Sequence, residues 1–160
     1  MAIDMFLKLD NVKGESVDSK HAGEIDLNFF EWGASQSGTM HKCSGGGAGK
    51  VSVKDLSIIK YVDRATPILI LACCSGKHFR EAVLTVRKAG DKPLEYLKIT
   101  MKDVLVSLHA TGGNDGSDRQ TENVSFNFAE FKIEYTPQKA DGSGDAEVET
   151  SFNIAQNTSV

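Results

Sequence analysis

Apolar and polar residues alternate along most of this chain with the period of two that a half-buried β-strand requires. Met5, Leu7 and Leu9 alternate with Phe6 and Lys8, which predicts a first strand ending at Asp10 and Asn11. A second strand is expected over residues 24–32. It carries Ile25, Leu27 and Phe29 on one side and Phe30 and Trp32 on the other, so both faces need covering. Residues 33–49 show no period and read as one projecting arm, since a connection of this length without structure of its own is unusual. A third strand starts at Lys50, and further strands are expected at 82–87, 94–108, 121–135 and 148–154. A tight turn is placed at Ala89, Gly90 and Asp91, and residues 141–145 read as a polar loop.

One short helix interrupts this pattern at residues 66–75. Thr66 suits the N-cap, Pro67 the first helical position, and Gly76 the C-terminal stop, so capping chemistry outweighs strand propensity. Ile68, Leu69, Ile70 and Leu71 make the helix apolar around most of its circumference, which predicts packing against the sheet on more than one side.

In three strands the apolar alternation changes parity midway. Val51 and Val53 give way to Leu56 and Ile58; Leu97, Ile99 and Met101 to Val104, Val106 and Leu108; Val124, Phe126 and Phe128 to Phe131, Ile133 and Tyr135. One extra residue at each switch, as in a β-bulge, would bend the strands enough to pass from one sheet to another and close a small barrel. Alternatively, each strand buries one face in the core and, further along, the other against a neighbouring subunit. The expected fold is mainly β, a small closed barrel of two curved sheets with one flanking helix.

Composition narrows the class. With 160 residues, 40% of them hydrophobic and 25% charged, the chain suits a single domain over residues 1–160 with a proper core. The net charge of −4 comes without any basic run interleaved with aromatics, which argues against a nucleic-acid partner. Asp4 and Lys8 break the apolar N-terminus, so no ordinary signal peptide is expected, and the apolar run 67–74 is far shorter than the roughly 20 residues of a membrane span. Cys43, Cys73 and Cys74 fit reduced thiols, with Cys73 and Cys74 as small core fillers.

Candidate chemistry mostly fails on inspection. Residues 44–50 imitate a phosphate loop, but Ser44 replaces the first glycine, Val51 replaces the metal-binding hydroxyl, and a strand follows where a helix is needed. A flexible glycine loop between strands is the simpler reading. His21, His41, His78 and His109 lie far apart, and His41 with Cys43 is the nearest approach to a metal pair, so they read as surface or loop residues and no cofactor or metal is expected. Ser75, Lys77 and His78 are adjacent in sequence, yet a nucleophile and its base must meet through space with an orienting acid; the stretch reads as a helix C-terminus, with Lys77 and His78 favourable to the dipole. Asp63 and Asp103 read as surface charges.

An ordered series of short words does carry information. Met5-Phe6-Leu7-Lys8-Leu9, Val12-Lys13-Gly14-Glu15-Ser16, His21, Trp32-Gly33 and Ala72-Cys73-Cys74-Ser75-Gly76-Lys77-His78 resemble the haemolysin-coregulated protein family of type VI secretion systems. Tyr96-Leu97-Lys98-Ile99, Val104-Leu105-Val106-Ser107, Thr121-Glu122-Asn123 and Tyr135-Thr136-Pro137-Gln138 continue the resemblance, which spans nearly the whole chain; Phe152 stands where many relatives have tryptophan. The resemblance implies a β-barrel that forms homohexameric rings, stacked into the inner tube of a contractile injection apparatus, without catalysis. It further implies spike and sheath proteins and small effectors as partners, and a cytoplasmic protein that is secreted without a signal peptide when the apparatus fires.

On that basis, strand parity turns Phe29 and Glu31 away from the core and toward a ring lumen. The arm supplies a subunit interface through Met40, His41, Lys42, Gly45, Gly46, Gly47 and Lys50. Gly90, Asp91 and Gln156, at strand ends, belong to stacking faces. The rival expectation is a monomeric β-barrel that binds a small apolar ligand; a lone hydrolase using Ser75 and His78 is a third.

Overall fold

The computed structural model describes residues 3–38 and 49–160, and it is mainly β with one helix. Strands β1 (Ile3–Leu9), β2 (Ile25–Asp26), β3 (Phe29–Glu31), β4 (Ala34–Ser35), β5 (Ser52–Val53) and β6 (Leu56–Tyr61) precede helix α1 (Thr66–Ser75). After it come β7 (His78–Lys88), β8 (Leu94–Gly112), β9 (Thr121–Tyr135), β10 (Val148–Asn153) and β11 (Thr158–Ser159). The main ladder runs β11-β10-β9-β8-β7-β1-β2, all antiparallel, while β6 pairs with the first half of β9 and β3 pairs with β6. β4 and β5 form a separate two-stranded ladder at the root of the arm. No helix among the described residues is long and apolar enough to cross a membrane.

The expected second strand is two ladders. Ile25 and Asp26 pair with β1, Leu27 N–H donates to the Met5 carbonyl, and then Asn28 N–H donates to the Ile59 carbonyl as the chain changes partner. The backbone turns over at this change. Ile25 and Leu27 are buried before it, and Phe30 and Trp32 pack on the same core after it. One core, rather than a second surface, therefore absorbs most of the two-faced apolar pattern.

The parity switch in the long strands is a coordinated feature. Met101 and Val104 are both fully buried, Phe128 and Phe131 both join the core, and β7 does the same with Phe79 and Ala82. Arg80, Asp103 and Ala129 stand at the same level, and the register is identical on either side of that level in both ladders. Each strand carries the extra residue opposite its neighbour's, so all three reverse their pleat together without slipping. Asp103 takes the left-handed conformation, φ 54°, at the switch. True two-against-one offsets occur elsewhere, at Ser107 of β8 against β9 and between Val86 and Arg87 of β7. The switch at Lys54 and Asp55 is the break between β5 and β6.

Helix α1 packs on β8 through one face only. Leu69 and Ala72 are buried and Cys73 is partly so, whereas Ile68, Ile70, Leu71 and Cys74 are exposed, Leu71 to 66%. This corrects two expectations, that the helix is covered on several sides and that both cysteines fill core. Cys74 sits about 100° around the helix from Cys73 and leaves the buried face. The C-terminal stop is as expected, with Gly76 at φ 66° and Lys77 N–H donating to the Ala72 carbonyl. Thr66 is not the N-cap. That place is held by Ala65, and Asp63 does the capping work, its carboxylate accepting the Ala65 N–H and its carbonyl the Thr66 N–H. Lys77 lies over the Phe79 ring and His78 opens β7, so neither sits in the last helical turn.

Candidate functional site

β3 and β6 present the residues expected to face outward. Phe29 pairs with Ile59, Phe30 with Ile58 and Glu31 with Ser57, so alternate side chains leave on opposite faces. Ile58 is fully buried, and Phe30 packs on the core beside it. Phe29 is 47% exposed and Glu31 is exposed. Trp32 anchors the end of this stretch: its Nε1–H donates to the Lys54 carbonyl at 3.0 Å, and its ring meets Phe131 edge-on at 4.8 Å. Across the sheet, Ile59 pairs with Asn123 and Asn123 with Ala110, so the outward row runs Phe29, Ile59, Asn123, Ala110. The last three line a groove of about 510 Å³. The adjoining row brings Ser57 and Ser125 together, their hydroxyls 2.9 Å apart.

The arm leaves and returns through β4 and β5, and Lys54 N–H donates to the Gly33 carbonyl at its base. Its root lies beside Phe131 and Phe152, with a groove of about 600 Å³ between. Lys50 is exposed on the returning strand side, while Met40, His41, Lys42, Gly45, Gly46 and Gly47 lie outside the described residues, as does Cys43. Gly90, at φ 146°, and exposed Asp91 form the β7–β8 turn, beyond the Tyr135 end of β9. Gln156, also exposed, lies in the β10–β11 turn, where Ile154 N–H donates to the Ala129 carbonyl and Gln156 N–H to Asn153 Oδ1. By register the first turn stands at the Tyr135 end of the ladder, while the second opens in the opposite direction but stands midway along β8 and β9, level with Ala129 and Asp103.

Two polar clusters were not anticipated. In the first, Lys60 and Glu122 are fully buried cross-strand partners on β6 and β9, with Nζ 2.6 Å from Oε1. Lys60 also donates to Asp63 at 2.8 Å and to the Tyr61 carbonyl at 2.8 Å. Glu122 also accepts from the Thr66 hydroxyl at 3.0 Å and from His109 Nε2 at 3.1 Å. Asp63 and His109 are thus interior groups, which corrects their reading as surface residues. In the second, His21 is buried, stacked on Phe6 with centroids 4.2 Å apart, and bonded to Glu24 and Glu95. Arg87 also lies over the Phe6 ring, 5.0 Å from its centroid, and grips Asp18 and Asp4. The Arg87 hydrogen bond, first among the causes, holds the Asp18 carboxyl far below the usual carboxylate range, and Asp18 in turn raises Arg87. Both clusters tie loops and the helix start to the sheet.

Among the described residues, Ser75 and His78 do not meet as a nucleophile and its base. His78 pairs with Asp103 at 2.9 Å, both largely exposed, and not with Ser75. An apolar ligand would need interior space, but Leu7, Leu56, Ile58, Val104 and Phe126 fill the interior at zero exposure.

Residues 6–135 match the family model described as "Type VI secretion system effector, Hcp". The chain is 57% identical over 159 residues to Protein hcp1 of Pseudomonas aeruginosa, covering 98% of each. Among solved structures it is similar to Hcp1 from Salmonella typhimurium, with 39% identity, a TM-score of 0.83 and 100% of both chains covered. A structure described as a type six secretion system protein matches at 32% identity and TM-score 0.94, over 99% of this chain and 100% of that one.

Proposed function

Because the chain belongs to the Hcp family of type VI secretion proteins, a structural family and not an enzyme family, we propose that it forms hexameric rings that stack into the inner tube of the apparatus. The observation that carries this reading is the near full-length identity to a curated Hcp protein. Each chain is one domain over residues 1–160. The circuit of pairings β1-β7-β8-β9-β6-β3, with the 25–31 segment bonded to β1 at one end and β6 at the other, supports reading it as a closed barrel. A ring uses heterologous contacts that close by rotation, and stacking needs two unlike faces. The Gly90–Asp91 turn, at the Tyr135 end of the ladder, is assigned to one of those faces, and the Gln156 turn, which opens in the opposite direction, to the other.

The outward row led by Phe29, with Glu31 beside it, is assigned to the lumen, where small effectors bind. The arm of Met40, His41, Lys42, Gly45, Gly46, Gly47 and Lys50 is assigned to contacts between subunits. Spike and sheath proteins are the remaining partners, and the chain leaves the cytoplasm with the fired tube. Native mass spectrometry tests the ring: a hexamer is expected at micromolar concentration, and a monomer there defeats the proposal. Glu31→Gln should keep the ring and change retention of a co-purified effector; loss of the ring would remove Glu31 from the lumen.

A further inference from the structure

Two patches on the outer surface of the ladder carry opposite charge. Beside β1, on the segment that joins it to β2, Lys8, Lys13 and Lys20 line a groove of about 480 Å³ flanked by the Asn11 and Gly23 turns. All three lysines are exposed, and among the described residues none is ion-paired; the groove's one acid, Glu24, is engaged by His21. At the other patch, Glu134 and Glu149 are directly opposite each other in the β9–β10 ladder, and their carboxylates and that of Glu147 lie within 4.8 Å of one another. Like charges facing across a ladder are unfavourable. Lys132 bonds to Glu149 and Glu134, which raise it, and Lys98 stands opposite Glu134 on β8, so two lysines among three glutamates leave an excess of one negative charge, carried by the Glu147–Glu149 side. Val148 and Glu149 have no neighbour on the far side of β10 among the described residues, because β11 pairs with Phe152 and Asn153 and Val160 bonds to Ser151.

Height matters as much as sign. Lys8 is in register with Val83, Thr100, Lys132 and Ser151 across β7, β8, β9 and β10. The Glu134–Glu149 pair stands two residues along from that row, a rise of about 7 Å. The two patches therefore lie at nearly the same level, four strand spacings apart along the ladder order. Rotation about an axis along the strands, without translation, moves one patch of a copy toward the opposite patch of the next.

We propose that the Lys8–Lys13–Lys20 groove receives the Glu147–Glu149 patch of a second copy of this chain, so that complementary patches set the direction of closure around the ring. The inference rests on the ring reading above and names the contact within it. Charge complementarity of this kind governs orientation and association more than bulk affinity.

The test uses two full-length charge-reversed proteins, Lys8→Glu/Lys13→Glu/Lys20→Glu and Glu147→Lys/Glu149→Lys, compared with wild type by sedimentation velocity and native mass spectrometry. Each alone presents two like patches and should assemble at least about tenfold more weakly. Mixed in equal amounts they offer alternating complementary patches, and rings should return. The milder Lys8→Gln/Lys13→Gln/Lys20→Gln protein should assemble with a reduced dependence on sodium chloride, which also holds the test if a reversed protein folds poorly. Reversed proteins that assemble like wild type, or a neutral variant with unchanged salt dependence, overturn the contact while leaving the ring intact. Saturable calcium binding to assembled wild type that Glu147→Lys/Glu149→Lys abolishes would assign the glutamates to a cation and also overturn it. A wild-type chain that stays monomeric defeats the ring and the contact together.

Discussion

Replacing Lys60 by methionine isolates the most exacting feature of the interior. The lysine spends its three ammonium protons on Glu122, Asp63 and the Tyr61 carbonyl, at zero exposure. Methionine fills much of the same volume but leaves a fully buried carboxylate without its cation. Breaking one side of a buried pair costs about 3–5 kcal/mol, because the remaining charge keeps its desolvation penalty. Glu122 retains two donors, Thr66 and His109, which puts the expected loss near the lower figure, about 3 kcal/mol. With a urea slope of about 2 kcal/mol per molar, the unfolding midpoint should fall by roughly 1.5 M. That is a large share of the roughly 5–15 kcal/mol a domain possesses.

Assembly would add its own stability, so the midpoint is read at chain concentrations where dilution no longer moves it. The double variant Lys60→Met/Glu122→Gln removes both charges and should recover more than half of the loss, a coupling that a simple packing defect would not show. A midpoint shift of Lys60→Met below about 0.3 M, or a double variant no better than the single, would refute the account of Lys60 as the indispensable partner of a dry carboxylate.

Three further outcomes follow from local geometry. Leu69→Ala should cost about 2–5 kcal/mol in chemical unfolding, since Leu69 is fully buried, while Leu71→Ala, 66% exposed two positions on, should stay within about 0.5 kcal/mol in the unassembled chain. Gly76→Ala should cost about 1 kcal/mol by the same measurement, because residue 76 holds φ 66° at the helix stop. Asp18 is depressed by Arg87, so its contribution is fully present above about pH 4 and is lost as pH falls through the strongly acidic range; Asp18→Asn should flatten the acid limb of a stability–pH curve, and an unchanged limb would contradict the Arg87 clamp.

Periodicity made much of this fold legible. β9 runs over the expected residues 121–135, the helix occupies 66–75, and β8 exceeds its expected range only at its far end, into Gly112. The buried ion pair was also visible in principle. Lys60 follows Leu56 and Ile58 in the core phase of β6, Glu122 precedes Val124 and Phe126 in the core phase of β9, and the two strands pair. Two opposite charges in buried phase on paired strands are a stronger signal than either alone. His109 was harder to find, because the extra residue at Ser107 moves it back into phase with the core only when β8 is already aligned on β9. The change of partner at Leu27 and Asn28 was beyond local reasoning, since nothing in that segment's own alternation says that its two halves belong to different neighbours.

That last point alters the grounds for self-association. Apolar residues on both sides of residues 25–32 suggest a second buried surface, yet Ile25, Leu27, Phe30 and Trp32 all enter one core, and only Phe29 is left out. The same holds for the parity switches, whose two phases are both interior in β8. Hidden apolar faces therefore do not argue for a ring. What does argue for it is family membership together with the unlike charged patches on the ladder, because a ring of heterologous contacts needs two different surfaces on each copy. A chain with a lysine-lined groove beside β1 and glutamates where β10 begins has that asymmetry in every copy, at nearly one height.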